Sequence, residues 1–449
     1  MRNPPVRSKI GDRRSDNFPS MADKNSGMTA REARRRRRIR QQTAYYTITV
    51  IFLIVLGIGG FFGYRYVRAR FFPSQVAPPD EVQTPDPQVQ APDAGVTEEA
   101  EKTPEEQMND EINRVISEMT LQDKVSQLFL VTPGQLTGMT DVTRAGETTQ
   151  AALKQYPVAG IVYSEGNLSD RRQLTDLLST TKQMSRYPLF LAAEETGGAN
   201  GSEVAKALSA TAAMSPKEIG TGANTSVAQE AGDLMGAYLK QAGFNLNIAP
   251  VANIALDPEA EDAFGTDAQM VSGMSVAMVK GLRGQGIASC VGRFPLPCAE
   301  DAGGMAGMNA TQQTMDELEN EAFLPFRDCI TAGCEIVMLS NIAAPRAVGG
   351  NAPCTFSEMI IHDELRSTLG YGGIIMSAPL DQEAITGGYT ADHAAVAAIA
   401  AGCDLLYRPE HFELAVTGVM DAVENGVLTE ERIDQSLRRV LRVKYKMGI

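Results

Sequence analysis

The chain has 449 residues, with 41 Lys+Arg against 55 Asp+Glu for a formal charge of -14, 43% hydrophobic residues, six cysteines, three histidines and no tryptophan. So few histidines exclude a histidine-rich metal site and so few cysteines exclude a disulfide framework, so neither a metal nor another cofactor is expected. The hydrophobic fraction is that of a globular protein able to bury a sizeable core.

The charge is divided along the chain. Residues 1–40 hold 11 Arg and 2 Lys against Asp12, Asp16, Asp23 and Glu32, a surplus of about nine positive charges. Arg65, Arg68 and Arg70 follow, so the remainder carries about -26. A nucleic-acid role is excluded for that remainder, because so acidic a surface repels phosphate backbones.

Between the basic tail (1–42) and the acidic remainder lies 43–64, TAYYTITVIFLIVLGIGGFFGY, which has no charged side chain. At about 1.5 Å per residue it is long enough to cross a hydrocarbon core of about 30 Å, and it predicts a transmembrane helix. The arginines before it place the N-terminus in the cytoplasm and the remainder outside the cell membrane. A cleaved signal peptide fits less well, because a long region precedes the span and no small-x-small site follows it. A buried core helix fits less well still, because nothing nearby covers it on all sides.

Residues 65–103 form a linker, most of it the Pro- and acid-rich PSQVAPPDEVQTPDPQVQAPDAGVTEEAEKT. Extended, it reaches up to about 100 Å.

From residue 104 to the end, short apolar runs alternate with amphipathic segments. A helical lead-in over 104–120 precedes strand candidates at 127–131, 160–163, 189–193, 245–251, 287–291, 336–339, 373–376 and 404–407. Helical patterns at 170–184, 226–242, 268–284, 315–332 and 356–369 fall between them. Eight such units predict an α/β fold of the (β/α)8 type, a TIM barrel, whose strand tips carry the chemistry. Those tips present Glu194 and Glu195, Asn253, Arg293, Ser340 and Asn341, Ser377 and Ala378, and Arg408. Glu194 and Glu195 draw notice because a sugar hydrolase needs two carboxyl groups facing one bond; adjacent residues point in different directions, so at most one of this pair enters a site.

The ordered series MTLQDKVSQLF (119–129), AGIVYSEGN (159–167), YPLFLAAEETGG (187–198), GFNLNIAPVANI (243–254), FGTD (264–267), LPFRDCITAGCEIVMLSNI (324–342), PCTFSEMIIHDELRSTLGYGGIIMS (353–377) and AGCDLLYRP resembles the N-terminal barrel of glycoside hydrolase family 3. Its bacterial single-domain β-N-acetylhexosaminidases are the most similar type. The resemblance implies a barrel over about 105–449 and retaining hydrolysis of β-glycosides by an aspartate at the tip of the seventh strand.

At that place the chain reads Ser377, Ala378, Pro379, Leu380. A methyl group cannot form the covalent glycosyl-enzyme intermediate. The family's Lys-His-Phe-Pro-Gly-His-Gly is matched by Gly292, Arg293, Phe294, Pro295, Leu296, Pro297 and Cys298, and no histidine lies in the following loop, which holds Glu300 and Asp301. Glu194 to Ala199 replace the family's Asp-x-Glu-Gly-Gly-Arg, Asp262 its sugar-binding arginine, and Asn341 its histidine after the sixth strand.

The expectation is a pseudoenzyme: a membrane-anchored, outward-facing barrel without efficient hydrolysis that binds a cell-wall glycan or muropeptide, or a membrane or wall protein. Glu194, Glu195, Asn253, Asp262, Arg293, Asn341 and Ser377 are the candidate ligand-binding residues. The alternative is an active β-N-acetylhexosaminidase cleaving terminal N-acetylglucosamine from peptidoglycan-type glycans with relocated carboxylates, Asp381 and Glu194. Cys290, Cys329, Cys334 and Cys403, in apolar contexts, are expected to be buried free thiols.

Overall fold

In the computed structural model, which describes residues 102–255, 257–297 and 309–449, all eight expected strands are present and all pair in parallel. The tail, the apolar span at 43–64 and nearly all of the linker lie outside the described residues, as do Cys298, Glu300 and Asp301. Among the described residues no helix is long and apolar enough to cross a membrane.

The strands are β1 (Phe129–Val131), β2 (Gly160–Val162), β3 (Phe190–Ala193), β4 (Leu246–Asn247), β5 (Ala288–Phe294), β6 (Ile336–Leu339), β7 (Ile374–Met376) and β8 (Leu406–Tyr407). The principal helices are α1 (Pro104–Ser117), α2 (Leu121–Ser126), α3 (Glu147–Gln155), α4 (Arg171–Met184), α5 (Thr225–Ala242), α6 (Ala268–Gly284), α7 (Leu324–Thr331), α8 (Ala391–Ala401), α9 (Phe412–Glu424) and α10 (Glu430–Met447). Between β6 and β7 the helical pattern is realised as a wider π-helix, Met359–Thr368.

The strands run in order β7-β6-β5-β4-β3-β2-β1-β8. A bridge between Met376 and Leu405 brings β7 back to the start of β8, and the Ser377 amide donates to the Leu405 carbonyl at 2.9 Å, so the barrel is nearly closed. The fourth strand is shorter than its apolar run, which includes Pro250, a residue with no amide hydrogen to give a ladder. The sheet resumes at Val251, which bridges to Gly292.

Side chains alternate along each strand, and this sorts the core into two layers. Leu130, Phe190, Ala192, Ile336, Met338, Ile374, Met376, Leu405 and Tyr407 fill the barrel interior. Phe129, Val131, Leu191, Ala193, Val337, Leu339, Ile375 and Leu406 face the helices. Outside the barrel, α5 and α6 pack closely because Gly232 and Gly281 meet: a Cβ on Gly232 would lie 2.5 Å from the Met278 carbonyl oxygen.

Polar groups close the N-terminal end, the barrel floor. Val440 of α10 joins the interior cluster, and Lys444, 1% exposed, donates to the Pro188 carbonyl at 2.6 Å and to Gln127 Oε1 at 3.2 Å. Its ammonium also lies 5.0 Å from the Phe190 ring centre. Asp404, fully buried, accepts from Arg366, from Arg439 at 2.9 Å, from the Ser436 hydroxyl at 2.8 Å and from the Ile375 amide at 3.0 Å. Glu335 ties β5 to α6 by accepting from Ser289 and from Arg283 Nε at 2.6 Å.

Candidate functional site

The C-terminal ends of the strands form the barrel mouth. The alternation that places Phe190 and Ala192 inside carries Glu194 toward the axis and turns Glu195 outward. Glu194 is exposed, and its Oε1 accepts a hydrogen bond of 2.7 Å from the Tyr407 hydroxyl. Glu195 is 1% exposed and holds the loop rather than facing the mouth. Its carboxylate accepts from Tyr238 of α5 at 2.6 Å and from the Val204 amide at 2.7 Å, while Asn247 clasps its backbone on both sides. Burial raises the Glu195 carboxyl above its ordinary range, and the bonds from Tyr238, Val204 and Ala205 oppose that rise.

At the end of β7, Ala378 is 1% exposed and its amide donates to Thr355 Oγ1 at 2.9 Å. Ser377 is fully buried; its hydroxyl donates to the Ala378 carbonyl and accepts from the Tyr407 amide at 2.9 Å, so it links β7 to β8.

Asp381 stands in the turn after β7. Arg408, just past β8, donates to Asp381 Oδ2 from Nε and lies 3.0 Å from it at Nη2. The arginine backbone adopts a left-handed φ of 47°, held by its amide bonding to the Leu130 carbonyl at 2.9 Å. Such a conformation is uncommon for a residue with a Cβ and is found where the surroundings enforce it. Burial pushes the Asp381 carboxyl up, Arg408 pulls it back, and Glu194 adds to the rise. Glu194, Tyr407, Arg408 and Asp381 therefore form one network across β3, β7 and β8.

The remaining candidates sit beside this network. Arg293 pairs with Asp262 at 3.3 Å, and the Asn253 carboxamide donates to the Arg293 carbonyl and accepts from the Arg293 amide. Asn341 is fully buried; its Nδ2 donates to the Pro379 carbonyl at 2.9 Å and to Gln382 Oε1 at 2.7 Å, while its Oδ1 has no partner among the described residues. A cavity of about 460 Å³ flanks the mouth beside Gly198, Ser215 and Asp262, and another of about 540 Å³ beside Ile254, Leu296 and Ile342.

The structure thus brings Glu194 and Asp381 together, pairs Asp262 with Arg293, and assigns Glu195, Asn253 and Ser377 to holding loops. Tyr407 and the pairing role of Arg408 are not evident in the sequence. Strand-tip position marks Arg408, but only the turn after β7 supplies its partner.

Cys290, Cys329, Cys334, Cys354 and Cys403 are free and buried. Burial pushes the Cys334 and Cys354 thiols up to about 12, which leaves them poor nucleophiles. His362, His393 and His411 lie in or beside helices rather than at strand tips. Among the described residues no group of three or more His, Cys, Asp or Glu is arranged to hold a metal ion.

Residues 120–443 match the model of the glycosyl hydrolase family 3 N-terminal domain. A β-hexosaminidase of Tolumonas auensis is 28% identical over 281 residues, covering 61% of this chain and 81% of that protein. A β-N-acetylglucosaminidase/β-glucosidase of Cellulomonas fimi is 24% identical over 75% of this chain, which spans 60% of that protein's length. Among solved structures, a family 3 β-N-acetylglucosaminidase from Paenibacillus superposes with a TM-score of 0.66 at 26% identity, over 74% of this chain and 63% of that one. A β-N-acetylhexosaminidase from Beutenbergia cavernae shares the fold with a TM-score of 0.61 at 22% identity, over 74% of this chain and 99% of that one.

Proposed function

The chain belongs to the glycosyl hydrolase family 3 N-terminal domain family, and from that premise we propose that it is a hexosaminidase-like barrel that has given up the family's hydrolysis and binds a cell-wall glycan. In this reading residues 43–64 anchor it in the cell membrane with the barrel outside.

The observation that carries the reading is how the altered places are occupied. The nucleophile place is Ala378, buried, with a methyl group and a backbone amide already committed to Thr355. Asp262 and Arg293, at two places where the family holds sugar with cationic or imidazole groups, bond to each other instead. Asn341, at a third, is seated against the turn after β7. Losing a nucleophile or base from a catalytic unit costs on the order of 10⁴ to 10⁶ in kcat, and the other changes add to it. The exposed Glu194 keeps a polar face open to a ligand.

The gathering of Glu194 and Asp381 around Arg408 favours a second reading, an active β-N-acetylhexosaminidase with relocated carboxylates. Full-length chain given an aryl N-acetyl-β-glucosaminide separates the two. The first reading expects background release of the leaving group together with retention on peptidoglycan-type glycan. Release with a bell-shaped pH profile, abolished by Asp381→Ala or Glu194→Ala, would establish the second. A protein partner captured without any glycan retention would displace both.

A further inference from the structure

Two Asn-Gly pairs occur in the chain, Asn200-Gly201 and Asn425-Gly426, and the fold treats them differently. A glycine after an asparagine leaves the peptide nitrogen between them open to the carboxamide, because no Cβ stands in the way. Asn425 is tied down. Its Nδ2 donates to the Asp421 carbonyl at 2.8 Å, and the Gly426 amide, the nitrogen that would attack, donates to the Val423 carbonyl at 3.1 Å. Asn200 is exposed, and its carboxamide makes no hydrogen bond among the described residues.

The turn that carries Asn200 also dictates its reactive successor. The Gly201 carbonyl accepts from the Thr196 and Gly197 amides at 2.9 Å each. A Cβ on Gly201 would lie 2.1 Å from Thr196 Oγ1 and 2.6 Å from the Gly197 carbonyl oxygen, so a bulkier residue that would shield the nitrogen collides with the turn itself. Asn200 stands on the wall of the cavity of about 460 Å³ beside the mouth.

We propose that, in the folded chain, Asn200-Gly201 is a self-modification site whose only co-reactant is water. The Gly201 nitrogen bonds to Asn200 Cγ and gives up its proton, the bond from Cγ to Nδ2 breaks, and ammonia leaves with that proton. Water then opens the cyclic imide at either carbonyl, which gives aspartate or isoaspartate. Either product adds a carboxylate beside Glu218, Glu261 and Asp262 on the cavity wall. Isoaspartate also lengthens the main chain by one carbon, between Glu195 and the Val204 amide that bonds to its carboxylate at 2.7 Å. The inference stands apart from the glycan-binding reading.

The test is to hold the full-length chain in mildly alkaline buffer made with heavy-oxygen water, folded or unfolded in urea, and to follow both pairs by peptide mass spectrometry. In the folded chain Asn200 is expected to convert about tenfold faster than Asn425, the rate factor that corresponds to the net worth of one hydrogen bond. In urea the two rates should converge. No conversion at Asn200, equal rates in the folded chain, or a preference just as large in urea overturns the inference. The acidic form that accumulates should vanish in Asn200→Gln, whose extra methylene disfavours ring closure, and its persistence there also overturns the inference. Should that variant misfold, the rates measured on the unaltered chain decide.

Discussion

The two ends of the barrel use charge in opposite ways. At the floor, Asp404 is fully buried among Arg366, Arg432 and Arg439, and Lys444 is buried against Pro188, Gln127 and Phe190. Every one of those partners comes from the chain itself, so the floor is a lock. At the mouth, the network of Glu194, Tyr407, Arg408 and Asp381 reaches solvent and carries a surplus charge. Buried polar groups whose hydrogen bonds are met inside the chain stabilise a fold, whereas a carboxylate that reaches solvent at an opening is available to a ligand.

The contrast is broken or sharpened most strongly at Asp404. Asp404→Ala strips the shared carboxylate from three arginines and is expected to lower the unfolding free energy by about 3–5 kcal/mol in a urea titration. A loss below about 1 kcal/mol would mean that the floor is no lock.

Lys444 gives the next largest effect. Burial pushes its ammonium down to about 7, against an ordinary value near 10.4. Between those two pH values the unfolded chain holds a proton that the folded chain has released, so raising the pH favours the fold by up to about 1.4 kcal/mol per unit. The melting temperature should accordingly rise more steeply from pH 7 to pH 9 in the unaltered chain than in Lys444→Met. Equal slopes would show that the ammonium stays charged, with the Pro188 carbonyl and the Phe190 face outweighing its burial.

At the mouth, Ala378→Asp places a carboxylate where the proposed reading puts the family's nucleophile. Because that position is 1% exposed, the change is expected to cost about 1–3 kcal/mol and to leave aryl N-acetylglucosaminide turnover at background. Substantial turnover would mean that the rest of the mouth remains competent for hydrolysis. The smallest effect is expected from Asp381→Asn, which removes an ion pair whose side chains are 22% and 35% exposed. Its cost should stay within about 1 kcal/mol, well below that of Asp404→Ala. A comparable loss would erase the distinction between the two ends.

Much of the fold was legible in the sequence because periodicity and local chemistry act over short distances. The run Phe190 to Ala193 reads as a strand without its neighbours, and the expected helical lead-in begins at Pro104, where the structure adds a capping box between Thr103 and Glu106. The fourth strand was less legible, since the apolar run around Pro250 hides the missing amide. The alanine at position 378, at the end of the seventh strand, was legible too, and the proposed loss of hydrolysis starts from it. The pairing of Arg408 with Asp381 was not: the two are 27 residues apart, and a left-handed backbone aims the arginine.

By itself, then, the sequence determined the eightfold alternation, the family and the alanine at position 378, because each is written in residue type and spacing. Only the tertiary structure decided which of Glu194 and Glu195 faces the mouth, that Asp262 and Arg293 neutralise each other, and that Tyr407 and Arg408 join Glu194 to Asp381. Those facts depend on closing the barrel, which brings β8 beside β1 and β7 and places distant strand tips within hydrogen-bonding distance.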